Sequence, residues 1–299
     1  MSETVGVPPQ ARQRLVARFG PGALDWCDEL PVRVAESADR WGLDLLSSGG
    51  GGTSRVFRCV RRSDGAAAWL KLTPDTRIAA EEAEALRVWA DIPSVVGLLA
   101  ADPHRGALLL EAVEPGTDVK GTPPRLTEVA ALLRDLRAGG RAPDRGSALR
   151  PLTDRVDLLF RLAGRRAAAG PGGVLDAPAL DRARARAREL AGSGPPGLVH
   201  GDLHAANVLT GPRHRLVAID PRPALGDPDF DAVDPALAGV ADLRALMRRI
   251  EDLAALVPGL SPDRVLGWCR ATAALVAAPR IRAGRDDAET RFLVGLTGG

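Results

Sequence analysis

One stretch constrains this chain more than any other: Leu198-Val-His200-Gly-Asp202-Leu-His204-Ala-Ala-Asn207-Val-Leu, followed by Val217-Ala-Ile-Asp220. Apolar runs on either side place the polar groups at the ends of short buried strands. A buried carboxylate is costly unless a cation or hydrogen-bond donors meet it, so Asp202, Asn207 and Asp220 are candidates to converge on one site. Asn207 and Asp220 supply hard oxygen ligands of the kind that hold Mg²⁺ together with substrate phosphates. Asp202 is placed to orient an attacking hydroxyl and accept its proton. Two other readings stand beside this one. His200, Asp202 and His204 lie within five residues and could hold a transition metal, or the cluster could be satisfied structural polar groups without chemistry. An isolated His-x-Asp says little, whereas the whole string His-Gly-Asp-x-His-x-x-Asn with an Asp 13 residues later is specific.

The segment resembles the catalytic loop of the aminoglycoside phosphotransferase and choline kinase superfamily, relatives of the protein kinases. It departs from the protein-kinase pattern in having Gly201 where Arg is usual and Asp220-Pro-Arg in place of Asp-Phe-Gly; both departures are normal among the antibiotic kinases. The continuation Ile219-Asp-Pro-Arg-Pro-Ala-Leu-Gly-Asp-Pro-Asp-Phe-Asp231 resembles the branch that contains the streptomycin 6-phosphotransferases, grouped with hydroxyurea-resistance kinases. The resemblance implies an α+β, protein-kinase-like two-lobed fold, with an N-terminal mixed β-sheet lobe carrying a helix and a mainly helical C-terminal lobe. It implies Asp202 as catalytic base, Mg²⁺ on Asn207 and Asp220, and ATP or GTP as phosphoryl donor. His200 and Asp231 then support the loop, and His204 lines the site without touching metal. Asp227 and Asp229 are loop residues or face substrate.

The same resemblance requires a glycine-rich hairpin, a lysine on the next strand and a helix glutamate to hold that lysine. Gly49-Gly-Gly-Gly-Thr53-Ser54 lies between two strand-like segments and can present backbone N–H groups to phosphates, or be a flexible turn only. Lys71 sits mid-strand among apolar residues in a chain where Lys is almost absent; a surface lysine on an edge strand is the plain alternative. The helix predicted over 78–90 offers Glu81, Glu82 and Glu84. Glu82 precedes Leu86 by four and Trp89 by seven, so it lies on the inward side and is the expected partner of Lys71, with Glu81 and Glu84 solvated. Leu108 to Gly116 resembles the strand-to-hinge passage between kinase lobes, where the carbonyl near Glu111 and the amide near Val113 would bond the adenine edge. The expected organisation is 1–111 as nucleotide-binding lobe with its N-terminal helices, 112–116 as hinge, and 117–299 as catalytic and substrate lobe.

Patterning supports this layout. Helices are predicted over 11–19 and 22–41, strands over 43–46, 55–61 and 66–72 with a hairpin turn at 63–65, and a strand pair over 95–100 and 107–111. Helices are predicted over 126–137, 152–168, 177–190, 241–257, 262–278 and a last segment ending near 294. Loops are predicted at 139–151 and 192–197, with short strands around the polar cluster.

Composition excludes more than it selects. The chain has 299 residues, 45% hydrophobic and 26% charged, with a formal net charge of +2. That is an ordinary globular balance with no basic tract interleaved with aromatics, so no nucleic-acid partner is expected. The alternating Arg182, Arg184, Arg186 and Arg188 read as a solvated helix face. Cys27, Cys59 and Cys269 are odd in number and widely spaced, which argues against disulfides and zinc and for a reducing, cytoplasmic setting; a monomer or homodimer is expected. No uninterrupted apolar run reaches about 18 residues, so no membrane segment is expected.

The expected acceptor is a small-molecule antibiotic, streptomycin-like by resemblance. Beyond Leu225, however, eleven acidic residues face nine basic ones, and Arg244, Arg248, Arg249, Arg280, Arg282 and Arg285 are expected in helices that wall the substrate cleft. That balance leaves room for a neutral or acidic antibiotic such as a capuramycin-like nucleoside. A homoserine, choline or sugar kinase and a non-catalytic kinase-like module are the remaining alternatives.

Overall fold

A computed structural model describes residues 5–50, 52–140, 147–168 and 177–297. Gly51 of the predicted glycine turn and 141–146 of the predicted loop lie outside the described residues. The chain divides into two compact units, Met1–Gly116 and Thr117–Gly299.

The first unit holds α1 (Pro9–Phe19), α2 (Ala23–Trp41), β1 (Leu43–Gly49), β2 (Arg55–Arg61), β3 (Ala67–Leu72), α3 (Thr76–Val88), β4 (Leu98–Asp102) and β5 (Ala107–Glu111). The strands form an antiparallel sheet in the order β1-β2-β3-β5-β4. Leu30, Val34 and Ala38 recur at helical spacing on α2 and pack with Phe57, Leu70 and Leu109 in one core cluster, to which Leu15 of α1 also belongs. Full burial of such side chains stabilises by about 1.5–3 kcal/mol each. The two N-terminal helices therefore cover the sheet. β1 runs three residues past the predicted end, because Ser47, Ser48 and Gly49 pair with Arg58, Phe57 and Val56 after a bulge. β4 begins at Leu98, not Val95. α3 begins earlier than predicted because Asp75 caps it, accepting from the amides of Arg77 (3.0 Å) and Ile78 (3.4 Å).

The second unit holds β6 (Thr117–Asp118), α4 (Leu126–Gly139), α5 (Leu152–Ala168), α6 (Ala177–Ser193), β7 (Gly197–Val199), β8 (Val208–Thr210), β9 (Leu216–Ala218), β10 (Ala224–Gly226), α7 (Val233–Leu237), α8 (Leu243–Leu256), α9 (Pro262–Arg282) and α10 (Ala288–Leu296). Two small sheets, β6-β8-β9 and β10-β7, carry the polar cluster between them in sequence. α9 is the central helix, with Val265, Trp268, Cys269 and Ala273 buried. It continues through Pro279 to Arg282, so Arg285 lies beyond it rather than within a helix. α7, β6 and β10 are too short to leave a periodic signal. Arg184 and Arg188 are not simply solvated: one turn apart on α6, both bond Asp157 of α5, Arg184 at 2.9 Å, while Arg182 and Arg186 are exposed. The three cysteines are free and buried. Among the described residues no helix is long and apolar enough to cross a membrane.

Candidate active site

The polar cluster begins where β7 ends. His200 is buried, and its amide donates to Asp231 Oδ2 at 2.6 Å, while the Gly201 amide donates to Asp231 Oδ1 at 2.9 Å. One buried carboxylate thus holds two successive backbone donors. Burial pushes the Asp231 carboxyl up to about 7, against the opposing pull of those two amides. His200 Nε2 lies 3.1 Å from the Ile219 carbonyl, and its own carbonyl accepts from the Arg222 amide at 2.9 Å. Burial lowers the His200 pKa to about 4, so the ring is neutral and serves as a hydrogen-bonded strut. Gly201 has φ +75°, and a Cβ there would stand 2.2 Å from the Arg222 carbonyl. Only glycine fits, which gives a local reason for its presence where the protein-kinase pattern has Arg.

Asp202 follows, with its side chain 31% exposed. Arg155 of α5 donates Nη2 to Asp202 Oδ1 at 3.0 Å and Nε to the Gly201 carbonyl at 3.1 Å. Asn207 donates Nδ2 to the Asp202 carbonyl at 2.9 Å and to Asp202 Oδ2 at 3.3 Å. His204 Nε2 stands 3.8 Å from Asp202 Oδ2, and its Nδ1 accepts from the Ala206 amide. Asp202 is thereby aimed by groups on both oxygens. Asp220 ends the segment after β9 with φ +53°, a left-handed conformation that Asp tolerates better than most residues; Arg222 Nη2 lies 3.1 Å from its Oδ1. The Ile219 amide donates to the Asn207 carbonyl at 2.9 Å, which ties the Asp220 segment to the Asn207 segment.

The donor set fits a hard divalent cation. The Asn207 amide nitrogen is spent on Asp202, which leaves Oδ1 as the group able to face a metal, and Asp220 adds a carboxylate half exposed beside it in the fold. For the transition-metal reading, no group of three His, Cys, Asp or Glu side chains among the described residues is assembled as a ligand set.

In the first unit, Lys71 Nζ donates to Glu82 Oε1 at 2.7 Å and Oε2 at 2.6 Å, with both side chains buried. Lys71 is opposite Val56 on β2 and Leu108 on β5, so it occupies the middle of the sheet rather than an edge. Glu81 is not solvated: it is 6% exposed and paired with Arg77 one turn back at 3.2 Å. Glu84 is half-buried. Their backbone positions on α3 face more of the fold than an isolated helix suggests. Ser54 is buried, and the Thr53 carbonyl accepts from Thr73 Oγ1 at 2.9 Å, which sets both residues at the same end of the sheet as Lys71. Glu111 closes β5 opposite Ala68, with its amide bonded to the Gly97 carbonyl at 2.9 Å. Val113 is half-buried just beyond the strand.

Asp227 and Asp229 do not face a cleft. Asp227 is buried and accepts from Arg264 Nε (2.8 Å) and Trp268 Nε1 (2.7 Å). Asp229 is buried and accepts from Arg137 Nη1 at 2.7 Å and the Ser261 amide at 3.2 Å. They join α4, α9 and the loop before α9 to the segment below the catalytic loop. Two residues escaped sequence reasoning. Arg155 lies in a separate helix 47 positions from Asp202, and nothing in its spacing marks it out from the other arginines of that helix. Asp234 opens α7 and lines a cavity of about 570 Å³ within the second unit.

The fold is that of small-molecule kinases related to protein kinases. Choline kinase LicA from Streptococcus pneumoniae matches with a TM-score of 0.58 at 14% identity, over 90% of this chain and 99% of that one. A thermostable mutant of aminoglycoside phosphotransferase APH(4)-Ia, in ternary complex with ADP and hygromycin B, matches with a TM-score of 0.54 at 16% identity, over 88% of this chain and 96% of that one. Sequence narrows the class. The family model described as aminoglycoside/hydroxyurea antibiotic resistance kinase matches residues 44–284. Hydroxyurea phosphotransferase of Kitasatospora aureofaciens is 35% identical over 273 residues, covering 88% of this chain and 77% of that protein. Streptomycin 6-kinase of Streptomyces glaucescens is 32% identical over 276 residues, covering 89% of this chain and 88% of that protein. The chain belongs to the aminoglycoside/hydroxyurea antibiotic resistance kinase family and is an enzyme of the phosphotransferase class, as the resemblance of residues 200–231 implies.

Proposed function

We propose that this enzyme transfers the γ-phosphoryl group of ATP or GTP to a hydroxyl of an aminoglycoside-type antibiotic and thereby confers resistance or self-protection. The observation that carries the reading is Asp202. It is a partly exposed carboxylate with Arg155 on one oxygen and Asn207 on the other, which is the state a base needs to receive a hydroxyl in one orientation. Asp202 aligns the acceptor hydroxyl and takes its proton as the oxygen attacks phosphorus. Lys71, held by Glu82, binds the α- and β-phosphates from the first unit, with the amides of the Thr53 and Ser54 turn beside it. The Glu111 carbonyl and Val113 amide bond the base edge, so 112–116 acts as the hinge. Asn207 and Asp220 would hold Mg²⁺, which when bound neutralises phosphate charge. His200 and Asp231 keep the loop in place. Catalysis in this scheme is positioning and charge stabilisation.

The antibiotic reading draws on relatives named for hydroxyurea and for streptomycin. A cavity of about 570 Å³ beside the catalytic loop suits a cyclitol or sugar ring, whereas hydroxyurea would leave most of it empty. The arginine-rich wall that favours an acidic or neutral acceptor is partly consumed within the protein. Arg280 is bound by Asp287 (3.0 Å) and Glu289 (2.7 Å), and Arg249 by the Ala238 carbonyl.

The test is a transfer screen of antibiotics with ATP and GTP, the products read by mass spectrometry, run with the wild type and Asp202→Ala. The variant should fold and bind nucleotide yet transfer no phosphoryl group. Near wild-type turnover in Asp202→Ala would overturn the assignment.

A further inference from the structure

Arg55 opens β2 and is only 3% exposed. Among the described residues its side chain makes no hydrogen bond and no ion pair, and its Nε is fully buried without an acceptor. The other buried charges described in the first unit are answered, Lys71 by Glu82 and Glu81 by Arg77. A guanidinium keeps its proton inside a protein, and a buried charge without a partner is strongly destabilising. Arg55 therefore calls for an anion.

The register fixes which face of the sheet Arg55 takes. It stands opposite Leu72 and shares a face with Phe57 and Cys59, which pack in the core cluster with α2. Lys71 stands opposite Val56, one position on, and so takes the other face with Glu82 of α3. Arg55 touches the glycine turn from behind: a Cβ on Gly50 would stand 3.1 Å from Arg55 Nη1 and 2.6 Å from the Ser54 carbonyl. The turn closes over the guanidinium because Gly50 has no side chain.

The acidic side chains of α2 are committed elsewhere. Arginines hold Asp28, Glu29, Glu36 and Asp39, and Asp25 is exposed. The surroundings add donors and positive charge instead. Trp26 Nε1 is buried without an acceptor, and Trp26 lines a hollow with Pro74, two residues beyond Leu72. Arg14, exposed on α1, has no ion pair among the described residues and adds to the positive potential at Arg55.

We propose that Arg55 is the floor of a binding site for a small doubly charged oxyanion of the phosphate or sulfate type, behind the glycine turn and on the face of the sheet opposite Lys71. The planar guanidinium presents paired N–H groups that match two oxygens of such an anion. The second positive charge on α1 favours a dianion over a single carboxylate. The anion and the turn occupy adjoining space, so a bound anion sets where Gly50 sits. Occupancy thereby controls the grip of the turn on nucleotide phosphates, a coupling that rests on the phosphotransferase reading above. By linkage, nucleotide and anion strengthen one another by the same factor.

Thermal melting of the full-length enzyme in sulfate, phosphate, acetate and chloride at one ionic strength tests the site. The series is repeated with a saturating non-hydrolysable ATP or GTP analogue, so that the nucleotide site cannot take up the probe. Sulfate and phosphate should raise the melting temperature of the wild type by about 5–10 °C at a hundredfold excess over Kd, with acetate and chloride inert. Arg55→Met removes the unpaired charge; it should melt above the wild type in chloride and lose the response to sulfate. Arg55→Lys keeps the charge without the fork and should keep a weaker response. Calorimetry should show the analogue bound about 5-fold tighter in sulfate than in chloride by the wild type, and equally in both by Arg55→Met. Equal melting in all four anions would mean that water hydrates the guanidinium, and acetate as effective as sulfate would mean a carboxylate site; either overturns the proposal, as does a sulfate response that persists in Arg55→Met. Analogue affinity indifferent to sulfate in a wild type that sulfate stabilises would overturn the coupling. A response that needs Arg55 upholds the site even where the analogue fails to bind, and that failure would count against the phosphotransferase reading alone.

Discussion

Arg155 Nη2 donates to Asp202 Oδ1 across 3.0 Å, and the same guanidinium donates Nε to the carbonyl of Gly201, the residue before Asp202. A planar fork therefore holds both the side chain and the backbone of the proposed base. Arg155 is 11% exposed, and burial lowers its pKa while Asp202 opposes that shift. Its worth to the enzyme lies in aiming Asp202. Arg155→Met should lower kcat by about 10²-fold, the scale of an ångström-sized misplacement, with little change in the KM of the nucleotide. Arg155→Lys should recover only part of the loss, because an ammonium cannot reproduce the fork. Steady-state kinetics on both variants decides; equal kcat in all three enzymes would remove Arg155 from the mechanism.

The Lys71–Glu82 pair allows stability and function to be pulled apart. Both groups are buried, so removing one leaves an uncompensated charge. Glu82→Ala should cost about 3–5 kcal/mol in urea unfolding, while the double replacement Lys71→Met with Glu82→Leu should be neutral or more stable by about 1–4 kcal/mol. Both variants should lose nucleotide binding by calorimetry. A double variant that still binds ATP or GTP with wild-type affinity would show that the pair is only structural.

His200 and Asp231 touch, and their titrations oppose each other. His200 falls from its ordinary 6.5 to about 4 in the folded chain, so between those values the unfolded chain binds more protons and stability rises with pH. Asp231 rises from 3.8 to about 7, so over the same interval the folded chain binds more protons and stability falls with pH. Each slope is about 1.4 kcal/mol per pH unit, and their sum is nearly flat. His200→Asn should unmask the Asp231 slope, giving a protein that loses stability as pH rises from about 4 to about 7. Denaturant midpoints across that range test it. A variant as flat as the wild type would refute the compensation.

The sequence alone determined the order of the chemistry-bearing residues and the class of fold. The string from His200 to Asn207, Asp220 after its apolar strand and the 219–231 continuation carry their signal in local spacing, which survives without coordinates. Glu82 was legible as the inward glutamate because α3 has a clear helical period through Leu86 and Trp89. The tertiary structure decided what spacing cannot reach. Asp227 and Asp229 sit in the same motif as Asp231, yet only the fold brings Arg264, Trp268 and Arg137 to them and turns them into buried struts. Arg155 looks like any other arginine of an amphipathic helix until α5 brings it against Asp202. Electrostatics within about 4 Å depends on which elements pack together, and that information lies in long-range contacts rather than in local sequence.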